Sequence, residues 1–119
     1  MKKKILLGLS GSVACSKAEL FVIQNSEKFE FKFLSTHNGL NYLSEEFINS
    51  NNIYSDWSEL SGSPHIELAR WADEIIIYPA SANLISKISS GIADDLLTST
   101  ILMFSNPIYI CPAMHEEMY

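Results

Sequence analysis

The fold of this chain is decided by one stretch of sequence, which reads His65-Ile66-Glu67-Leu68-Ala69-Arg70-Trp71-Ala72-Asp73-Glu74-Ile75-Ile76-Ile77-Tyr78. Its first half carries apolar residues at helical spacing behind Pro64, which suits the first turn of a helix because its missing N–H is not needed there. Its second half, Ile75–Tyr78, is a continuous apolar run, which is typical of a strand buried on both faces. A helix that leads directly into such a strand indicates an α/β protein.

The rest of the chain repeats this alternation of strand and helix. Strand-like runs lie at Lys4–Leu9, Phe31–Leu34 and Ile108–Cys111, and helical patterns lie at Val13–Gln24, around Leu40–Phe47 and, as one or two helices, across Leu84–Leu102. Asn49–Ser63 is the least regular part. Because crossovers between parallel strands place helices on the faces of a sheet, we predict one parallel sheet with helices on both sides.

Composition and charge exclude several classes of protein. The 119 residues are 47% hydrophobic and 18% charged, as in a globular domain. The net charge of −6, with Lys2–Lys4 as the one basic cluster, argues against nucleic-acid binding, and no apolar run approaches the roughly 20 residues of a membrane helix. The run Lys2–Leu9 is too short for a signal peptide, and Cys15 and Cys111 stand in no metal-binding spacing. We therefore read them as reduced thiols and expect a cytoplasmic protein without a metal.

Small and polar residues follow the first predicted strand, where an open α/β sheet binds its ligands. In the run Gly8–Ala14, Gly11 allows close backbone approach, Ser12 offers a hydroxyl, and the following helix offers the positive end of its dipole to a phosphate. The run matches neither the Walker pattern nor Gly-x-Gly-x-x-Gly. On these residues alone, an ordinary strand-to-helix turn explains the run about equally well.

Two other predicted strands also end in polar residues. Thr36 could cap a helix or contact a ligand, and the residues alone favour the cap. Ser81 could likewise cap the next helix, while Asn83 can both donate to and accept from a heterocycle. Asp94 and Asp95 have no nearby ligand partner, so we read them as a solvated helix face or a subunit contact rather than as a metal site.

Two histidines are candidates for chemistry. His65 stands at a predicted helix start, where the helix dipole disfavours a protonated imidazole and leaves a neutral ring that can act as a general base. The commoner case for such a histidine is simple solvation. His115 follows the last strand, and we expect it to point into the ligand crevice, whereas the neighbouring Met114 could be part of the core.

Five motifs, taken in order and at their spacing, resemble the flavin-dependent cysteine decarboxylases, and most closely the phosphopantothenoylcysteine decarboxylase branch. The resemblance runs from Lys4 to Tyr119. The motifs are Gly11-Ser12-Val13-Ala14, His65-Ile66-x-Leu68-Ala69-Arg70-Trp71-Ala72-Asp73, Pro79-x-x-Ala82-Asn83, Gly91-Ile92-Ala93-Asp94-Asp95-Leu96-Leu97 and Pro112-Ala113-Met114.

This resemblance implies a Rossmann-like or flavodoxin-like three-layer α/β/α domain that binds FMN and assembles as trimers or dodecamers. It implies His65 as the catalytic residue and Met114 and His115 as substrate contacts, although the family most often has an Asn where His115 stands. The implied FMN contacts are Gly11, Ser12, Val13, Thr36, Ser81, Ala82, Asn83, Leu84 and Ala113. A Thr is commoner in the family where Leu84 stands.

The implied activity is FMN-dependent oxidative decarboxylation of the cysteine moiety of 4'-phospho-N-pantothenoylcysteine, giving 4'-phosphopantetheine for coenzyme A biosynthesis. A fused or separate phosphopantothenate–cysteine ligase would accompany it. Decarboxylation of a peptide's C-terminal cysteine and a non-catalytic, FMN-binding regulatory role remain open alternatives. We expect residues 1–119 to form one flavoprotein domain that is incomplete at its C-terminus, because the family's flap, with its proton-donating cysteine, would lie beyond Tyr119.

Overall fold

Strands and helices alternate along the chain as predicted. The computed structural model describes residues 2–55 and 62–113. The elements are β1 (Lys3–Leu9), α1 (Cys15–Asn25), β2 (Phe29–Ser35), a 3-10 helix (Asn38–Tyr42), α2 (Glu45–Ser50), β3 (Ile53–Tyr54), α3 (Pro64–Trp71), β4 (Glu74–Ala80), α4 (Ala82–Ser89), α5 (Leu96–Met103) and β5 (Ile108–Pro112). The helix and strand predicted from His65–Tyr78 are α3 and β4.

The described strands form one parallel sheet in the order β3-β2-β1-β4-β5. Gly8 of β1 lies between Leu34 of β2 and Ile77 of β4 in the register. This order is that of the doubly wound Rossmann sheet, in which the chain direction across the sheet reverses between β1 and β4. Ligands of such sheets bind outside the carboxyl ends of the strands at this reversal, so the topology by itself points to the loops after β1 and β4.

Among the described residues, two hydrophobic clusters, one on each face of the sheet, make up the core. Alternate residues of β1 enter opposite clusters: Leu6 packs with α3, α4 and α5 residues such as Leu68, Leu84 and Leu97, and Leu7 packs with residues of α1 and α2. The predicted three-layer α/β/α arrangement is therefore confirmed. The continuous apolar strands follow from it, because a strand covered on both faces has no solvent side.

Several boundaries differ from the sequence prediction for local reasons. The helix expected from Val13 begins at Cys15, and Val13 is 85% exposed in the preceding loop. The helix expected around residues 40–47 is split, because Leu43 is extended and the Ser44 hydroxyl accepts from the Phe47 N–H at 3.1 Å to start α2. The span from 84 to 102 holds two helices, and β3 is a two-residue edge strand inside the region that we read as irregular.

Apolar side chains remain on the surface in places. Val13 and Ile92 are exposed in the loops after β1 and after α4. Leu102 and Met103 are exposed at the end of α5. In the described ranges, 2–55 and 62–113, none of the helices has the length and apolarity that a bilayer crossing requires.

Candidate functional site

A buried serine joins the ends of the two central strands. Ser10, which is 1% exposed, follows β1, and its hydroxyl donates to the Pro79 carbonyl oxygen at 2.6 Å. The same hydroxyl accepts from the Ser81 N–H at 2.8 Å, and the Ser10 N–H donates to the Pro79 carbonyl at 3.2 Å. These bonds fix the loops after β1 and β4 against each other at the point where the strand order reverses.

A cavity of about 440 Å³ opens at this carboxyl edge of the sheet. Its size lies within the range of about 300–1,000 Å³ that small-molecule sites occupy. It is lined by Gly11, Thr36, His37, Asn38, Ser81, Asn83, Leu84, Lys87, Asp94 and Asp95. The structure therefore brings together residues that follow β1, β2 and β4, as the sequence predicted, and adds the loop between α4 and α5.

The loop after β1 forms one wall. A Cβ atom at Gly11 would collide with the amide nitrogen of Asn38 and lie 3.3 Å from the Tyr42 ring, so the backbone here approaches the opposite wall more closely than a side chain allows. The Ser12 hydroxyl accepts from the Ala14 N–H at 3.1 Å, which tightens the turn into α1. Because Gly11 has no Cβ, its backbone is left accessible to a ligand in the cavity.

Behind this wall lies Cys15, which is fully buried. Burial raises the pKa of its thiol above the ordinary value of 9.0, and the nearby Glu19 carboxylate acts in the same direction, while a backbone hydrogen bond from Ser12 opposes both. The thiol donates to the Ser10 carbonyl oxygen at 3.4 Å. Cys15 is therefore a protonated packing residue rather than a nucleophile.

Thr36 makes a capping-type hydrogen bond and lines the cavity. Its Oγ1 accepts from the Gly39 N–H at 3.0 Å, so Thr36 satisfies an orphan N–H of the 3-10 helix as expected, although the N-cap residue itself is His37. Its N–H donates to the Leu9 carbonyl at 2.9 Å, which holds the end of β2 beside β1. His37 and Asn38, which the sequence did not single out, line the cavity from the same turn.

The start of α4 forms the next wall. The predicted Ser81 cap is confirmed, because its Oγ accepts from the Leu84 N–H at 3.2 Å, and Asn83 is exposed at the cavity. The Ala113 N–H donates to the Ala80 carbonyl at 3.0 Å, which brings the residue after β5 next to this segment. The cavity lining does not include Ser12, Val13 and Ala82, which adjoin lining residues in the chain, nor Ala113.

The loop between α4 and α5 is held at both ends. Gly91 has a φ of +69°, and the Ile92 N–H donates to the Lys87 carbonyl at 2.9 Å, a Schellman end for α4. We expected Asp94 and Asp95 to be solvated or to contact a subunit. Asp94 is exposed, as expected, and pairs with Lys87 at 3.1 Å, whereas Asp95 is half-buried and caps α5, accepting from the Thr98 N–H at 2.7 Å.

The candidate catalytic and substrate residues lie away from the cavity lining or outside the described residues. His65 is half-buried in the first turn of α3, with its Nδ1 atom buried, and is not among the lining residues. The Asp73 N–H, just after α3, donates to the Lys4 carbonyl at 2.8 Å near the start of β1. The C-terminus of α3 is therefore at the amino edge of the sheet, and His65 is towards the carboxyl edge. Met114 and His115 fall outside the described residues.

Known proteins share this sequence and fold. A family model described as Flavoprotein matches residues 1–119. A Dictyostelium discoideum protein, provisionally named phosphopantothenoylcysteine decarboxylase, is 39% identical over 132 residues, covering 99% of this chain and 67% of that protein. The coenzyme A biosynthesis bifunctional protein CoaBC of Vibrio cholerae is 37% identical over 125 residues, covering 98% of this chain and 31% of that protein.

A solved structure of a mutant PPC decarboxylase complexed with pantothenoylaminoethenethiol matches with a TM-score of 0.89 and 34% identity, covering 99% of this chain and 70% of that one. The chain thus spans about two thirds of the first relative's length and about a third of the bifunctional one. These matches confirm the resemblance read from the motifs, and the chain belongs to the flavoprotein family.

Proposed function

We propose that this chain binds FMN in the cavity beside Ser10 and takes part in the oxidative decarboxylation of 4'-phospho-N-pantothenoylcysteine, a step of coenzyme A biosynthesis. Residues 1–119 act as one FMN-binding domain in this proposal. The observation that carries it is the cavity itself, because three of the segments that resemble the decarboxylases, around Gly11, Asn83 and Asp94, meet in its walls. The relatives named for this reaction support the choice of substrate.

The residues present fit a flavin nucleotide. Gly11 leaves a cradle that a Cβ would fill, and Ser81 and Asn83 offer polar groups to a ring system. The dipoles of α1 and α4 point their positive ends towards the cavity, which suits a phosphate. The residues that would hold FMN are Gly11, Ser12, Val13, Thr36, Ser81, Ala82, Asn83, Leu84 and Ala113.

In the proposed reaction, the flavin and the protein residues have different roles. When bound, the flavin supplies a two-electron acceptor for the cysteine moiety, which makes the loss of CO₂ easy. The chain's own residues bind and orient the reactants. His65 would take a proton from the substrate. Met114 and His115 would hold the substrate, and the His115 imidazole would donate a hydrogen bond to the substrate carboxylate.

A homo-oligomer, a trimer or dodecamer, is part of the proposal. Val13 and Ile92 are exposed apolar side chains on the two loops that flank the cavity, and a neighbouring subunit would remove them from water. A ligase partner, fused or separate, is the corresponding proposal for the coupled reaction, supported by the bifunctional relative. The free cysteines Cys15 and Cys111 suit the reducing cytosol, where we place the protein.

A substrate panel tests the function. FMN-loaded protein is mixed anaerobically with phosphopantothenoylcysteine or with a peptide that ends in cysteine, and the released CO₂ is measured. The proposal predicts release with the first substrate and little with the second. Release with the peptide alone would assign a peptidyl-cysteine decarboxylase, and release with neither, in a protein that binds FMN, would favour a regulatory role.

A further inference from the structure

The charges around the cavity are unevenly placed. The lining includes the acidic residues Asp94 and Asp95 and one ammonium group, that of Lys87 on the last turn of α4. Within residues 2–55 and 62–113, Lys87 is the one Lys or Arg that lines this cavity. Among the described lining residues, Lys87 is therefore the one ammonium or guanidinium group that an anionic group of a ligand could meet.

The present partner of Lys87 is held weakly. Its Nζ lies 3.1 Å from Oδ2 and 3.3 Å from Oδ1 of Asp94. The Asp94 side chain is 52% exposed, and that of Lys87 is 27% exposed. Ion pairs between exposed groups contribute little net stability, because water screens the charges and long side chains lose freedom. The pair can therefore open at small cost when a better anion arrives.

Asp95 does not compete for the same ammonium. Its carboxylate accepts from the Thr98 N–H at 2.7 Å and from the Thr98 hydroxyl at 2.6 Å, as the cap of α5.

The position of Lys87 separates it from the start of α4. Six residues at about 1.5 Å rise place its Cα about 9 Å along the helix from Ser81, so it extends the anion-binding reach of the cavity beyond the helix N-terminus.

Resting on the proposed function, we infer that Lys87 binds an oxyanion of the ligand, a phosphate or a carboxylate, and that Asp94 is the counter-ion that occupies its ammonium until the ligand arrives. The exchange replaces one ion pair by another and releases Asp94 to water, where it is already half exposed. Lys87 thereby sets the preference of the cavity for anionic over uncharged ligands.

Binding measurements with matched ligand pairs test this. The variants are Lys87→Gln, Asp94→Asn and the control Lys28→Gln, whose exposed side chain precedes β2 at the opposite edge of the sheet. Calorimetry gives dissociation constants of the apoprotein for FMN and riboflavin, which differ by a phosphate. For FMN-loaded protein, the ligands are phosphopantothenoylserine, pantothenoylserine and phosphopantothenoylethanolamine, in all of which a hydroxyl replaces the reactive thiol. Pantothenoylserine lacks the phosphate, and phosphopantothenoylethanolamine lacks the carboxylate.

For each pair, the anionic preference is the dissociation constant of the ligand that lacks the anionic group divided by that of the ligand that carries it. We expect Lys87→Gln to lower this ratio by about 10-fold or more in one of these comparisons, because a charge-assisted hydrogen bond is lost. That comparison identifies the oxyanion as the flavin phosphate, the substrate phosphate or the substrate carboxylate. Asp94→Asn should bind at least as tightly as the parent, and Lys28→Gln should match it.

The inference is overturned if Lys87→Gln leaves every preference unchanged, or weakens charged and uncharged ligands equally. It is also overturned if Asp94→Asn loses as much affinity for the ligands as Lys87→Gln, because the Lys87–Asp94 ion pair would then maintain the structure of the site rather than exchange for the ligand. A parent protein that takes up no FMN contradicts the proposed function itself, and this inference with it. A parent that binds FMN while Lys87→Gln shows unchanged preferences contradicts only the role of Lys87.

Discussion

The Ser10 hydroxyl lies 2.6 Å from the carbonyl oxygen of Pro79, and this bond ties the end of β1 to the end of β4. Because the Ser10 hydroxyl oxygen also accepts from the Ser81 N–H, Ser10→Ala removes two hydrogen bonds at a buried position. We expect a loss of about 1–3 kcal/mol in the free energy of unfolding, measured by urea denaturation. The exposed Ser89→Ala, as a control, should change it by less than about 0.5 kcal/mol. Equal effects of the two substitutions would show that the Ser10 bonds are not stabilising.

A methyl group at Gly11 should harm ligand binding more than folding. The Cβ would meet the amide end of the exposed Asn38 side chain, which can move aside, but the methyl would still narrow the cavity. We expect Gly11→Ala to weaken FMN binding by about 10-fold or more, in the range of overpacked sites, as measured by quenching of flavin fluorescence. The double variant Gly11→Ala/Asn38→Ala separates the causes. If it binds FMN as the parent does, the clash with Asn38 is the whole effect and Gly11 does not face the flavin.

The sequence predicted the fold well because its main elements carry strong periodic patterns. The helix and strand of His65–Tyr78 appear as α3 and β4, and Pro64 stands at the helix start as expected. The strand β3 escaped notice because two residues, Ile53 and Tyr54, are too short to show alternation. Its pairing with β2 depends on the rest of the sheet rather than on its own sequence.

The cavity was predicted in part. The residues after the strand ends, Gly11, Thr36 and Ser81, could be found because sheet topology makes those positions converge. Lys87 could not, because its link to Asp94 depends on the left-handed turn at Gly91. The cap at Asp95 left a signal that was missed, since Thr98 three residues later completes a capping box.

The buried thiol of Cys15 should make stability depend on pH in alkaline solution. Burial raises its pKa above 9.0, so above that pH the unfolded chain loses a proton that the folded chain keeps. The folded state then binds more protons, and the free energy of unfolding falls as pH rises from about 9 towards the folded pKa. We expect the decline in melting temperature between about pH 8.5 and 10.5 to be shallower in Cys15→Ala. Parallel profiles of the two proteins would refute this.

If His65 is the base, His65→Asn should retain FMN but lose flavin reduction by the substrate. Removal of a general base costs about 10²–10⁴-fold in rate, which anaerobic bleaching of the flavin absorbance by phosphopantothenoylcysteine would reveal. Glu67→Gln, an exposed change on the same helix, serves as the control and should bleach at the parent's rate. Should the His65→Asn protein bleach as fast as the parent, His65 is not the base, and its role at the start of α3 is structural.

The release and uptake of FMN show directly whether the cavity beside Ser10 is a flavin site. The chain is purified and denatured, any released chromophore is identified by mass spectrometry, and protein freed of chromophore is titrated with FMN. We predict a yellow protein that releases FMN and, once stripped, takes up one FMN per chain with saturation. A colourless protein that also fails to take up added FMN would show that the cavity is not a flavin site.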